Sequence, residues 1–210
     1  MSALPTSDMP GHRDLHEIVC SALDRCVESQ AVEFKQSAPW AELKWHIVKT
    51  LAAMGNLRDG GVIVVGASES ARTWSLTGVS PDHLQTYDVD IIADVVARFV
   101  SPPPAVEAVL VAHGAPRPFL ALRVREFEFT PYICTRDCPE ESPPFFAGDI
   151  FTRPLGKPQT KRVTSAPEMQ TLLELAAEKR VRRFLQTAHE VGLSPKTSAE
   201  DLFVAELEGL

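Results

Sequence analysis

No apolar run in this chain approaches the ~18 residues that a membrane-spanning helix needs, so a helical membrane protein is excluded. The opening stretch, MSALPTSDMPGHRDLHE, lacks the basic-then-apolar order of a secretory leader. Residence in the cytoplasm is the resulting expectation. Cysteine is scarce: four in 210 residues, none in a C-x-x-C pair. Cys134 and Cys138 are four apart in a Pro-rich loop with His113 upstream, which falls short of a zinc-ligand pattern. They read as loop or core residues. There is no G-x-x-x-x-G-K-[ST] phosphate loop, no G-x-S-x-G nucleophile turn and no H-E-x-x-H among the six histidines. Walker-type nucleotide hydrolysis, α/β-hydrolase chemistry and zincin proteolysis drop out together.

What remains has ordinary globular composition, 44% apolar and 23% charged, and enough length to bury a core without disulfides. Net charge is −7, which by itself argues against a nucleic-acid partner. Its distribution does not. Residues 151–185 carry eight bases against three acids, net +5, which leaves −12 for the rest of the chain. Such asymmetry is compatible with local phosphate binding, and equally with a solvated helix face and loop.

Hydrophobic periodicity sets the element order. Residues 13–26 place Leu15, Ile18, Val19, Ala22 and Leu23 at helical spacing. AVEFK alternates as a short strand, with Val32 and Phe34 on one face and Glu33 and Lys35 on the other. After Pro39, WAELKWHIVKTLAAM puts Leu43, Ile47, Leu51 and Met54 on one stripe, and Gly55-Asn56 suits its end. RDGG makes a turn that calls on Gly60 and Gly61 for unusual φ. VIVVG is a buried strand, and ASESARTW a polar loop ahead of a short strand near SLTG. Residues 87–100 read as a helix stopped by SPPP. AVEAVLVAH and PFLALRVREF pair around HGAPR. PYIC and DIFTRPLG supply short strands, a helix runs from Pro167 to about His189, and another covers 198–208. The predicted architecture is α+β, a single mixed or mainly antiparallel sheet flanked by helices, with C-terminal helices. The expected divisions are a flexible arm (1–12), a central domain (13–166) and a helical extension (167–210).

The stretch ESQAVEFK concentrates chemistry. Glu33 lies on the short strand and Glu28 just before it. If VIVVG neighbours that strand, Glu69 in Ala67-Ser68-Glu69 approaches them. Three carboxylates at one point repel unless a cation or a proton joins them. A Mg or Mn ion relieves that repulsion and activates water toward a phosphodiester, with Lys35 steadying the phosphate. The bland alternative is a set of solvated acids beside a strand. Trp40, Trp45 and Trp74 have the rings for base stacking, though core packing is the commoner use. His46 reads as a surface or packing residue.

The ordered motifs E-S-x-x-V-E-F-K (28–35), L-A-A-M-G-N-L-R-D-G-G (51–61), V-I-V-V-G (62–66), L-T-G (76–78) and I-F-T-R-P-L-G (150–156) resemble the Schlafen AlbA-like domain family. The resemblance spans residues 28–165. It implies a nucleic-acid-binding fold and, by similarity to the vertebrate Schlafen nucleases, a metal-dependent endoribonuclease acting on tRNA or other folded RNA. Glu28 and Glu33 then map onto the catalytic and metal-holding glutamates, with Lys35 beside them. Glu69 maps onto the third acid, although G-A-S-E stands where many relatives have G-V-D-D. Many bacterial members are plain nucleic-acid-binding domains, so a non-catalytic DNA- or RNA-binding regulator or adaptor is the alternative. A third reading is a module whose helices 167–208 dock a partner protein. Arg153, Lys157, Lys161, Arg162, Arg180 and Arg183 are the candidate phosphate contacts, with RNA favoured over DNA. Two facing lobes in the vertebrate proteins imply a homodimer here.

Overall fold

The computed structural model describes residues 15–70, 73–141, 144–154 and 158–191. In chain order the elements are α1 (Leu15–Arg25), β1 (Val32–Lys35), α2 (Trp40–Gly55), β2 (Gly61–Val65), β3 (Ala67–Ser70), β4 (Thr73–Leu76), α3 (Pro81–Leu84), α4 (Val89–Phe99), β5 (Val100–Ser101), β6 (Val106–Val111), β7 (Phe119–Val124), β8 (Ile133–Cys134), β9 (Phe151–Thr152), β10 (Lys161–Arg162) and α5 (Ala166–Glu190). The chain divides into two compact units, Met1–Thr164 and Ser165–Leu210. The expected arm at 1–12 and helix at 198–208 lie outside the described residues.

The main sheet has strand order β1-β2-β7-β6. β1 and β2 are parallel, with Glu33 beside Ile63, while β2–β7 and β7–β6 are antiparallel. This is the mixed, mainly antiparallel α+β arrangement that the element order predicts. Three two-stranded pairs accompany it: β3–β4, β5–β8 and β9–β10.

Alternation along the strands divides the core. Val32, Phe34, Val62 and Val64 join Phe119 and Ala121 against Leu15, Val19 and Leu23 of α1. Ile63, Val65, Leu120 and Leu122 point the other way and are buried, on the side where α2 packs. The predicted α2 stripe of Leu43, Ile47, Leu51 and Met54 is buried throughout. Trp40 and Trp45 are buried as well. Trp45 packs edge-on to Phe99, and Trp74 edge-on to Phe34. The tryptophans therefore serve packing.

Two segments differ from expectation. ASESARTW, expected as a polar loop, supplies β3 and the first half of β4, with Glu69 opposite Trp74. Its polar side chains hid the pairing because a two-stranded ribbon needs no continuous apolar face. In RDGG, only Gly60 has the left-handed backbone, φ +73°, shared by Asp59 at φ +68°. Gly61 is required by crowding instead: a Cβ there would lie 2.8 Å from the Met54 side chain.

Asn56 ends α2 and closes the unit internally. Its Nδ2 donates to the carbonyls of Tyr132 (3.0 Å) and Phe151 (2.9 Å), and its Oδ1 accepts from Tyr132 N at 2.7 Å. The side chain is buried, so truncation leaves several backbone groups dry and unpaired. Asn56→Ala should lower the unfolding free energy by about 3 kcal/mol, read as a reduced urea midpoint at unchanged m-value.

Candidate functional site

Period-two geometry sends Glu33 and Lys35 to the face of β1 opposite Phe34. Glu33 is buried there, 8% exposed. A carboxylate in that position is costly unless paired. Two cations of the same chain pair it. Lys35 Nζ lies 2.5 Å from one oxygen, and Arg153 Nη1 donates to the other.

Arg153 follows β9 and is fully buried. Its Nη2 donates to the carbonyls of Ser29 (3.2 Å) and Pro158 (2.7 Å). Its own carbonyl accepts from the Gln30 side-chain amide. The guanidinium thus ties the residues leading into β1, through Ser29 and Glu33, to both ends of the segment 153–158. This corrects the expectation for Arg153: a side chain with no exposed surface cannot reach a phosphate. The strand pattern carried the signal, because period two places Arg153 on the same side as Phe151, which is buried.

Glu28 is half-buried and uses one oxygen to accept from Phe34 N at 2.9 Å. Burial raises its pKa above the ordinary 4.5; the Phe34 hydrogen bond opposes, the Glu33 charge adds to the rise, and Lys35 and Arg153 oppose it. On α2, His46 feels the same cluster. Partial burial lowers its pKa first, then Lys35, against Glu33.

Glu69 does not join this cluster as a ligand. β1 and β2 are indeed neighbours, but the chain turns at Gly66, where φ is +115° and the Gly78 backbone leaves no room for a Cβ. Beyond it, among the described residues, β3 pairs with β4 alone, and Glu69 is exposed on that ribbon. Among the described residues, no group of three or more His, Cys, Asp or Glu side chains is placed to hold a metal ion. Both oxygens of Glu33 are already taken by cations, and one of Glu28 by a backbone amide. These residues, as placed, do not fit a three-carboxylate Mg or Mn centre. Cys134 and Cys138 are free thiols, and burial pushes the Cys134 thiol up to about 12.

The exposed bases lie elsewhere. Lys161 and Arg162 form β10, paired with Thr152 and Phe151 of β9. Arg162 reaches Asp149 at 2.8 Å and lies over the Phe146 ring. Arg180 and Arg183 are exposed on α5, in the second unit. Lys157 lies outside the described residues. Sequence reasoning missed Gln30, Ser29 and Pro158 as the partners of Arg153. Two of the three contribute only backbone carbonyls, which leave no trace in residue type.

A four-stranded mixed sheet between helices, with a charged cluster joining its first strand to a late short strand, defines an α+β domain of the kind the ordered motifs imply. The family model described as Schlafen, AlbA_2 matches residues 28–153, and the chain belongs to that family. Membership associates it with nucleic-acid-related function. Two solved structures are similar. One is the DIP2311 protein from Corynebacterium diphtheriae, at 18% identity over 64% of this chain and 22% of that one, TM-score 0.42. The other is the N-terminal domain of a RecG-related protein from Nitrosomonas europaea, at 18% identity over 73% of this chain and 97% of that one, TM-score 0.46. The chain thus spans about a fifth of the length of the Corynebacterium protein. Comparison with curated proteins finds no match. No helix among the described residues is long and apolar enough to cross a membrane.

The cluster makes two predictions. Removing one partner of a buried ion pair strands the other. Glu33→Gln and Arg153→Met should each lower the unfolding free energy by about 3–5 kcal/mol, while Glu33→Leu with Arg153→Met recovers most of that loss; urea titrations of the three variants check it. Glu28 carries the opposite sign. Its folded pKa is raised, so the native state holds more protons than the unfolded chain above pH 4.5, and stability falls as pH rises through the folded value. Glu28→Gln, which can keep the Phe34 hydrogen bond, should therefore gain stability over wild type as pH goes from about 4 to about 7. Paired unfolding titrations across that range would refute this if the difference between the two proteins did not change.

Proposed function

We propose that this chain is a nucleic-acid-binding module in which the Glu28–Glu33–Lys35–Arg153 cluster is a structural lock. The phosphate backbone is engaged by the exposed bases of β10, Lys161 and Arg162, on a segment that the lock holds. One observation carries this reading: both oxygens of Glu33 are occupied by the protein's own cations. A carboxylate so engaged is a poor ligand for a second cation, because binding a metal would displace Arg153 and leave a guanidinium buried without its counter-charge. The family supports nucleic acid as the partner, and the exposed bases Lys161 and Arg162 on β10 support phosphate as the group engaged. Folded RNA, tRNA included, is the first ligand to test, with duplex DNA alongside.

Binding of labelled tRNA and of duplex DNA is measured between about 50 and about 200 mM salt, with and without Mn. We expect affinity to fall steeply with salt. Lys161→Glu with Arg162→Glu should weaken binding at least tenfold and flatten the salt slope by roughly 0.7–0.9 for each phosphate no longer neutralised. No cleavage is expected. Unchanged affinity and slope in the double variant would remove β10 as the interface. Mn-dependent cleavage of tRNA that Glu28→Gln abolishes would overturn the lock and reinstate a metal-dependent endoribonuclease.

A further inference from the structure

Two adjacent phenylalanines ahead of β9 face opposite ways. Phe145 is fully buried and packs edge-on to Trp45 and Phe99. Phe146 is turned outward and is 50% exposed. It opens a turn that Asp149 N closes on the Phe146 carbonyl at 3.0 Å. The backbone around it is braced. Phe146 N donates to Asp149 Oδ2 at 2.8 Å, and Ala147 N to Asp137 Oδ1 at 2.9 Å. Cys138 N donates to the Phe145 carbonyl, Gly148 N to the Cys134 carbonyl and Cys134 N to the Asp149 carbonyl, each at 2.8 Å. A single exposed apolar residue is ordinary. This ring, however, is held in place beside two cations.

The cations come from β10 and α2. Arg162 Nη2 lies 2.8 Å from Asp149 Oδ2, the same oxygen that accepts from Phe146 N. The guanidinium lies over the Phe146 ring, 5.6 Å from its centroid. One carboxylate therefore fixes both the ring and the guanidinium, and the Arg162 side chain is still 43% exposed. Across the β9–β10 pair Arg162 is opposite Phe151, and Lys49 Nζ lies over that second ring, 5.0 Å from its centroid. Burial lowers the Lys49 pKa, the Arg162 charge lowers it further, and Asp149, Cys134 and Cys138 oppose. Two like charges brought together repel. Asp149 offsets only one of them, so an anion settling beside both is favoured. An anion next to an exposed aromatic ring is the chemistry of a nucleotide: phosphate for the cations, base for the ring. A duplex offers the phosphate and keeps its bases stacked inside, whereas an unpaired nucleotide offers both.

We infer that Phe146 is a stacking platform for an unpaired nucleobase, with a phosphate of the same strand held by Arg162 and Lys49. The inference rests on the nucleic-acid reading. It adds the single-stranded character of the ligand, and it adds Phe146 and Lys49 as binding residues.

The test is fluorescence anisotropy of the full chain with three labelled ligands: a single-stranded RNA of about 10 nucleotides, the DNA strand of the same sequence, and the RNA duplex. The single strands should bind more tightly than the duplex at equal salt, and RNA against DNA shows whether the sugar is read. Phe146→Leu keeps an apolar side chain without the ring. It should weaken the single strands about tenfold or more, at unchanged salt slope, and leave the duplex unaffected. Phe146→Trp should retain the affinity and show quenching of the added indole on binding. Lys49→Gln should instead flatten the single-strand salt slope by roughly 0.7. Urea midpoints of the Phe146 variants should match wild type, because the side chain is exposed. Single strands indifferent to Phe146→Leu, or a duplex bound more tightly than either strand, overturn the inference and leave the nucleic-acid reading standing. Failure of all three ligands to bind overturns both.

Discussion

The ion pair between Arg153 and Glu33 closes the first unit on itself. Its members are 120 residues apart in sequence, and almost every element of the main unit lies between them. The matched family segment begins at Glu28 and ends at Arg153, both members of the same charged cluster. That coincidence has a physical basis: the stretch 28–35 and the segment after β9 form one site in space, so the fold is complete only when both are present. A buried pair of this kind adds little net stability over apolar residues of similar size. What it does is penalise every arrangement that separates its members, because each would leave a charge buried alone.

The same pair reverses the electrostatic argument for a metal. Three acids in one place need an outside cation. Here the cluster holds two acids, Glu28 and Glu33, and two bases, Lys35 and Arg153, so the chain neutralises itself. Glu28 retains a raised pKa because it is half-buried and near the Glu33 charge, which together outweigh the Phe34 amide hydrogen bond and the charges of Lys35 and Arg153. Lys35, which sequence reasoning gave to a phosphate, is instead a direct counter-charge to Glu33.

Most of the fold was legible because it follows from apolar spacing. The stripe Leu43–Ile47–Leu51–Met54 and the run VIVVG each specify an element and its buried side without reference to the rest of the chain. The β6–β7 hairpin was readable for the same reason. What was not legible depended on partners distant in sequence. The β3–β4 ribbon is held by backbone pairing among polar residues, and α3 is one turn capped by Ser80; neither leaves an apolar period. At the site, Glu28, Glu33 and Lys35 of the motif lie in one charged cluster, and the ordered motifs correctly gave the family. Glu69 failed because a strand's neighbour does not fix the direction of the chain after it, and Gly66 turns that direction. Arg153 failed because charge is a poor guide to exposure when a carboxylate waits inside.

The basic segment that stood out in the sequence is two features. Lys161 and Arg162 sit on a short hairpin beside the lock, while Lys179, Arg180, Arg182 and Arg183 sit on a long helix of the second unit. Only the first pair lies on a segment that the Arg153 guanidinium holds in place. The second group alternates with exposed apolar side chains, Val181, Phe184 and Leu185 among them, whereas a phosphate chain offers no apolar surface. Separating the two has a consequence for affinity. A single hairpin engages few phosphates and therefore binds weakly.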